Sequence, residues 1–246
     1  MDTNTDVLQA LEHGVLTIEG EFVWGSNYTF LAEVNYKGRN YRGVYKPSRG
    51  ERPLWDFPTA SLARREAAAY AVSESLGWKF VPPTVYRSKG PLGAGSLQLF
   101  IPHNPEYHYF NFSRADRQRL RPVVLFDLLI NNADRKGSHI LIDQEDRLWL
   151  IDHGVCFHEE EKLRTVVWDF AEQPIPENLC ADLMGFLQQL RGVGVKGGNS
   201  ELAAELSKYL GRGELKALGE RAEMLISAGF FPSPDPMRRP FPWPQI

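Results

Sequence analysis

The 246-residue chain is 43% hydrophobic and 24% charged, a globular composition with room for one large or two small domains. A net charge of −3 argues against bulk nucleic-acid binding, and two cysteines, Cys156 and Cys180, make no disulfide framework. No apolar leader and no run near ~18 apolar residues is present, so a soluble, cytoplasmic protein without a membrane span is expected.

Charge is uneven along the chain. Residues 1–123 hold 15 Lys/Arg against 12 Asp/Glu, and residues 124–246 hold 13 against 19. A mildly basic first half suits phosphates, and an acidic second half suits metal.

In chain order, Thr5 to Gly14 is expected as a short helix with Val7, Leu8 and Leu11 on one face. Val15 to Val23, Tyr28 to Tyr36 and Tyr41 to Lys46 are rich in β-branched and aromatic residues. They read as a three-stranded antiparallel meander, turning at Trp24-Gly25-Ser26-Asn27 and Lys37-Gly38-Arg39-Asn40. Ser61 to Leu76 repeats Leu62, Ala69, Val72 and Leu76 at helical spacing and stops at Gly77. Strands follow at Thr84 to Arg87 and Ser96 to Ile101, then an aromatic, irregular linker over Pro102 to Asn111. One long helix is expected over Arg114 to Asn131, and further helices over Leu179–Leu190, Ser200–Leu210 and Gly213–Ala228. Phe230 to Ile246 holds six prolines and is expected to lie over the surface or to be disordered.

The chemistry centres on Asn131 to Gly154, NNADRKGSHILIDQEDRLWLIDHG. A polar loop precedes one strand, a polar turn follows, and a second strand ends at Asp152-His153-Gly154, which reads as a hairpin. Asp134 and Asp152 then fall at the same end of the hairpin. Phosphoryl transfer needs this layout: one carboxylate for the acceptor's proton, a second for the metal, and a side chain at the head of the first strand to complete the metal shell. Asp134 and His139 have the D-x-x-x-x-N spacing of the kinase catalytic loop with His in place of Asn, and Asp152-His153-Gly154 stands where D-F-G would. The bland alternative is a solvated hairpin with surface acids.

Such a site also needs a lysine on an inner strand and a carboxylate to hold it extended. Lys46 ends the third strand, and Glu66 lies twenty residues on, in the helix. Each alone reads as readily as a surface charge; their order relative to Asp134 and Asp152 joins them. Backbone N–H groups of the turn at Gly25, Ser26 and Asn27 are placed to donate to phosphate oxygens, though an ordinary hairpin turn explains it as well. Gln98, Phe100 and Ile101 end the sheet half, where a linker backbone meets a nucleotide base. Histidine-based metal chemistry fits less well, because the histidines lack H-x-x-x-H spacing.

The set Gly43-Val44-Tyr45-Lys46-Pro47, Arg65-Glu66, Asp134-Arg135-Lys136-x-x-His139 and Ile151-Asp152-His153-Gly154 resembles the phosphatidylinositol 3-/4-kinase-like branch of the protein-kinase-like fold. Lys46 to Pro58 and Leu76 to Val85 resemble its small bacterial subgroup, and the likeness covers roughly residues 16 to 170. It implies an α+β, bilobal fold with an antiparallel-sheet N-lobe carrying one helix, a mainly helical C-lobe, ATP, and Mg²⁺ or Mn²⁺. The expected lobes are 1–102 and 103–231, with a proline-rich tail over 232–246. The resemblance makes Asp134 the catalytic carboxylate with Lys136 beside it, Asp152 and His139 the metal-side residues, and Lys46 the phosphate lysine paired with Glu66. Two residues depart from the pattern: His139 replaces the metal-binding Asn, and Lys136 replaces the histidine of D-R-H. The activity implied is phosphate transfer to a protein or small-molecule hydroxyl. A nucleotide-binding pseudokinase and AMP transfer to protein are the alternatives. An inositol lipid is not expected as the substrate, because no basic amphipathic helix is visible.

Overall fold

The computed structural model describes residues 4–22, 28–193 and 200–246. Helix α1 (Asn4–His13) precedes strands β1 (Val15–Glu21), β2 (Phe30–Tyr36) and β3 (Arg39–Pro47), which pair antiparallel as a meander. β2 and β3 are joined by Lys37-Gly38, both at positive φ (51° and 76°), the conformation whose twist suits a two-residue hairpin. β4 (Thr84–Arg87) and β5 (Gly95–Leu99) complete a five-stranded antiparallel sheet in the order β1-β2-β3-β5-β4.

Strand periodicity sorts the faces of this sheet. Tyr45 and its cross-strand partner Leu97 enter an apolar layer with Leu11, Ala32 and Val34. Val44 and Lys46, one step out of phase, face the opposite side with Gln98, the partner of Val44. That side is covered by α2 (Leu62–Ser75). The Glu51 carboxylate accepts from the first free N–H groups of α2, at Leu62 (3.1 Å) and Ala63 (2.9 Å). The inner stretch Ala67-Ala68-Ala69 is fully buried, so α2 is packed on both flanks instead of one. Its residues Ala68, Ala69, Tyr70, Val72 and Leu76 belong to the same core as the helical half of the chain.

The helix expected over 114–131 is two: α3 (Arg114–Gln118) and α4 (Arg121–Ile130). Pro122 sits in the first turn of α4, where a missing N–H costs nothing, whereas in mid-helix it would remove a hydrogen bond and clash. β6 (Ile140–Ile142) and β7 (Leu148–Leu150) form the expected hairpin, its turn tied by Asp143, which accepts from the N–H groups of Glu145 and Arg147 (both 2.9 Å). Helices α5 (Glu177–Arg191), α6 (Glu201–Leu206) and α7 (Arg212–Ala228) close the chain's second half, α6 being shorter than the expected 200–210. The proline-rich tail lies on the surface. Phe231 is buried, Pro240 O accepts from Thr165 N–H (3.0 Å), and Gln245 O accepts from Gly137 N–H (2.8 Å). Among the described residues no helix is long and apolar enough to cross a membrane.

Candidate active site

Lys46 projects from β3 into a cleft of about 300 Å³ between the sheet, the start of α2 and the β6–β7 hairpin. Its Nζ lies 2.5 Å from Glu66 Oε1 and 3.0 Å from Asp152 Oδ1. The other oxygen of Glu66 accepts from His153 N–H at 2.9 Å, so a carboxylate that is 3% exposed has both oxygens engaged. Burial alone would weaken the lysine's hold on its proton, but Asp152 and Glu66 reverse this and raise its pKa above the ordinary value. Asp152 is half exposed to the cleft. Against the cost of desolvation by the cleft walls, Lys46 holds its carboxyl well below the usual range. Its backbone is left-handed (φ 63°), a conformation uncommon outside glycine but tolerated by Asp, and it turns the chain sharply off the end of β7.

The loop carrying Asp134 is held from below. α4 ends at Asn131 in the left-handed region (φ 55°), and its side chain donates to the carbonyls of His158 (2.9 Å) and Glu160 (2.7 Å). Asn132 accepts from Asp134 N–H (2.9 Å) and donates to Asp127 (3.1 Å). Arg135, fully buried, makes a fork to Asp127 (2.9–3.0 Å) and donates to Ile151 O (2.8 Å) and His153 Nε2 (2.9 Å). One guanidinium thereby ties together α4, the Asp134 loop and the Asp152-His153-Gly154 turn. Burial keeps His153 neutral, so its accepting Nε2 leaves the proton on Nδ1, 3.8 Å from Glu66. Gly137 lies where the loop meets Phe110; a Cβ there would come within 2.8 Å of the Phe110 ring.

From chain order, Arg135 and Lys136 are both expected beside Asp134, where their charge would keep its carboxylate ionised. Lys136 is there, but Arg135 turns inward to Asp127, where all its N–H groups find acceptors. Asp134 is therefore pushed up to about 6 by burial, opposed chiefly by Lys136, whose Nζ is 3.4 Å away.

His139 sits at the head of β6. Its Nδ1 accepts from Lys136 N–H (3.4 Å), which leaves the proton on Nε2, facing Asp152 Oδ2 at 3.3 Å. Burial lowers its pKa to about 4, so it is neutral at pH 7. In this tautomer the Nε2–H side of His139 lies against the carboxylate of Asp152. A lone pair on Nε2 for metal would require the proton to move to Nδ1, against the Lys136 N–H.

The structure brings Lys46, Glu66, His139 and Asp152 to one cleft, with Asp134 and Lys136 on the adjoining loop. Gly25, Ser26 and Asn27 lie outside the described residues. Gln98 lines the cleft, its amide donating to Thr84 Oγ1 (2.8 Å). Phe100 and Ile101 line it too, but the N–H of Phe100 is taken by Arg42 O (2.9 Å). The carbonyl of Ile101 is engaged by His103 Nδ1 (2.8 Å). Among the described residues no backbone carbonyl takes the Ile101 N–H. Asp127, Arg135 as an internal tie, and Glu51 as the α2 cap were not anticipated. Asp127 left a signal, a lone charge inside the apolar run Val123 to Ile130. Glu51, in a proline-rich loop, left none.

No protein-family model matches the chain. Protein Rv2133c of Mycobacterium tuberculosis is 38% identical, over 99% of this chain and 97% of that protein. The chain belongs to the same family as Rv2133c. A more distant relative, phosphatidylinositol 4-kinase gamma 4 of Oryza sativa, is 32% identical over 52% of this chain. The match spans only 26% of the plant protein's length. The fold is kinase-like. Hydra Fam20, solved with sugar, superposes with a TM-score of 0.54 at 16% identity, covering 93% of this chain and 89% of its own. The Helicobacter pylori proinflammatory kinase CtkA gives 0.53 at 9% identity, over 90% and 94%. The Golgi casein kinase with Mn and ADP bound gives 0.50 at 15%, over 91% and 74%.

Proposed function

We propose that this protein is an ATP- and divalent-metal-dependent phosphotransferase that moves the γ-phosphate to a hydroxyl of a protein or small molecule. The observation that carries the reading is Lys46 Nζ held between Glu66 (2.5 Å) and Asp152 (3.0 Å) at the mouth of an apolar cleft. A cation so fixed, beside a carboxylate kept ionised, is the arrangement that receives phosphate and metal together. The two halves on either side of the cleft are taken as lobes of residues 1–102 and 103–231. The Mn/ADP-bound neighbour and the plant phosphatidylinositol kinase relative support nucleotide and metal as ligands.

The donor set fits a metal that takes most of its ligands from phosphate. Among the described residues no cluster of three or more His, Cys, Asp or Glu is arranged to hold an ion alone. One carboxylate plus phosphate oxygens and waters is the usual Mg²⁺ arrangement. Asp152 is that carboxylate, and a cation there would neutralise charge on the β- and γ-phosphates. His139 lies against Asp152, Lys46 donates to phosphate oxygens, and the Ile101 N–H meets the base. Lys136 faces the transferred group, and Asp134 accepts the acceptor's proton.

A nucleotide-binding pseudokinase is the second reading, favoured by one observation: the proton on His139 Nε2 removes the second metal ligand that an Asn would supply. Incubation with γ-³²P-ATP or α-³²P-ATP separates the readings. Transfer of the γ label alone, lost in Asp134→Ala, is expected. Transfer of the α label would mean AMP transfer, and nucleotide binding with no transfer from either would establish the pseudokinase. Mg²⁺-supported transfer that is kept or raised in His139→Asn is expected of the kinase.

A further inference from the structure

A second cavity, about 470 Å³, shares no lining residue with the nucleotide cleft. It opens among α4, the segment 161–168, α7 and the proline-rich tail, and its size falls within the range of small-molecule sites. Leu128, Met224 and Phe230 give it an apolar body. Trp168 also lines it, and the indole Nε1 is buried without a hydrogen-bond partner, an unmet donor.

The cations around it are unequally occupied. Arg238 is paired with Glu161 (2.8 Å) and Asp235 (3.4 Å), so those acids are engaged. Arg164 and Arg239 line the same cavity, and neither is paired with a carboxylate among the described residues. A cavity with an apolar body, a free indole donor and two unpaired guanidinium groups complements an organic anion.

Arg164 also joins this cavity to the reaction centre. Its N–H donates to Asn132 O (2.9 Å) and its carbonyl accepts from Arg135 N–H (3.0 Å), so its backbone is bonded to the residues around Asp134. Its charge is also among those acting on the Asp134 carboxyl.

We propose that this cavity is a binding site for a small organic anion with an apolar body, its acid held by Arg164 and Arg239, and that its occupancy is felt at the Asp134 loop through Arg164. The coupling to the loop rests on the phosphotransferase reading above.

The test has two readouts on the full chain. In the first, 8-anilinonaphthalene-1-sulfonate is the fluorescent probe, titrated with and without saturating Mg-ADP. Arg164→Gln and Arg239→Gln should each weaken its binding at least fivefold, with Mg-ADP leaving it unchanged. Octanoate and phenyl phosphate should displace the probe, the better of the two telling a carboxylate from a phosphate head, while octanol should not. Equal displacement by octanol, loss of probe binding with Mg-ADP, or unchanged affinity in both variants overturns the site. Arg239 is exposed, so its variant is expected to fold even if Arg164→Gln does not.

The second readout is ATP hydrolysis with water as acceptor. Octanoate should change its rate severalfold in wild type and less in Arg239→Gln, and hydrolysis that ignores octanoate overturns the coupling to the Asp134 loop. A wild-type protein with no nucleotide turnover would instead defeat the phosphotransferase reading, leaving the anion site to be judged by the first readout.

Discussion

Lys46→Met separates the lysine's two tasks, structural and functional. The substitution keeps an apolar stem on β3 but removes the cation from between Glu66 and Asp152. Glu66 is 3% exposed and would keep only the His153 N–H as a partner. Stranding one member of a buried pair costs about 3–5 kcal/mol; the low end, ~3 kcal/mol, applies here because Glu66 retains that donor. For a chain of this size, about 2–4 °C per kcal/mol translates into a fall of roughly 6–12 °C in Tm. Loss of a hydrogen bond from a charged donor to phosphate, ~1.5–3 kcal/mol, should weaken nucleotide binding by roughly 10- to 150-fold. Differential scanning fluorimetry reads the first effect and isothermal titration with Mg-ATP the second. The double variant Lys46→Met, Glu66→Gln should recover several degrees of Tm, because it removes the stranded charge, but none of the affinity. An unchanged Tm together with wild-type nucleotide affinity in Lys46→Met would refute both the ion pair and the placement of phosphate in the cleft.

Asp152→Ala should abolish the metal dependence of nucleotide binding, read as equal affinities in Mg²⁺ and in EDTA; a persisting Mg²⁺ requirement would move the metal elsewhere. Asp127→Asn should destabilise the fold by ~3–5 kcal/mol, seen in urea unfolding, because it strands the fully buried Arg135. Asp134 has a folded-state pKa raised by burial to about 6, so turnover should fall about tenfold per unit as pH drops below about 6. The same shift fixes the sign for stability. A carboxyl whose folded pKa lies above its unfolded value is penalised when ionised, so Asp134→Asn should raise Tm at pH 8 and lose that advantage as pH falls through about 6.

The parts of this site that were legible in the sequence are those set by local periodicity. The β-branched and aromatic run over 41–46 placed Lys46 at the end of a strand, and the polar turn between two apolar runs placed Asp134 and Asp152 at one end of a hairpin. The Lys46–Glu66 pair followed from chain order alone. What escaped was decided by burial and long-range closure. Nothing local to Arg135 says that its side chain turns to Asp127, eight residues back, instead of toward its neighbour Asp134. The break between α3 and α4 is marked by Pro122, through which the single helix expected over 114–131 would have had to run. The seating of the tail against Thr165 and Gly137 uses backbone groups, which carry no sequence signal.

The central claim is that Asp134 takes the acceptor's proton in the transition state, and Asp134→Asn addresses it most directly. Asparagine keeps the shape and the loop's hydrogen bonds but cannot accept that proton. Single-turnover transfer from γ-³²P-ATP should fall by orders of magnitude while Mg-ATP affinity stays within about twofold, since the loss is confined to the transition state. Transfer at the wild-type rate in this variant would contradict the account.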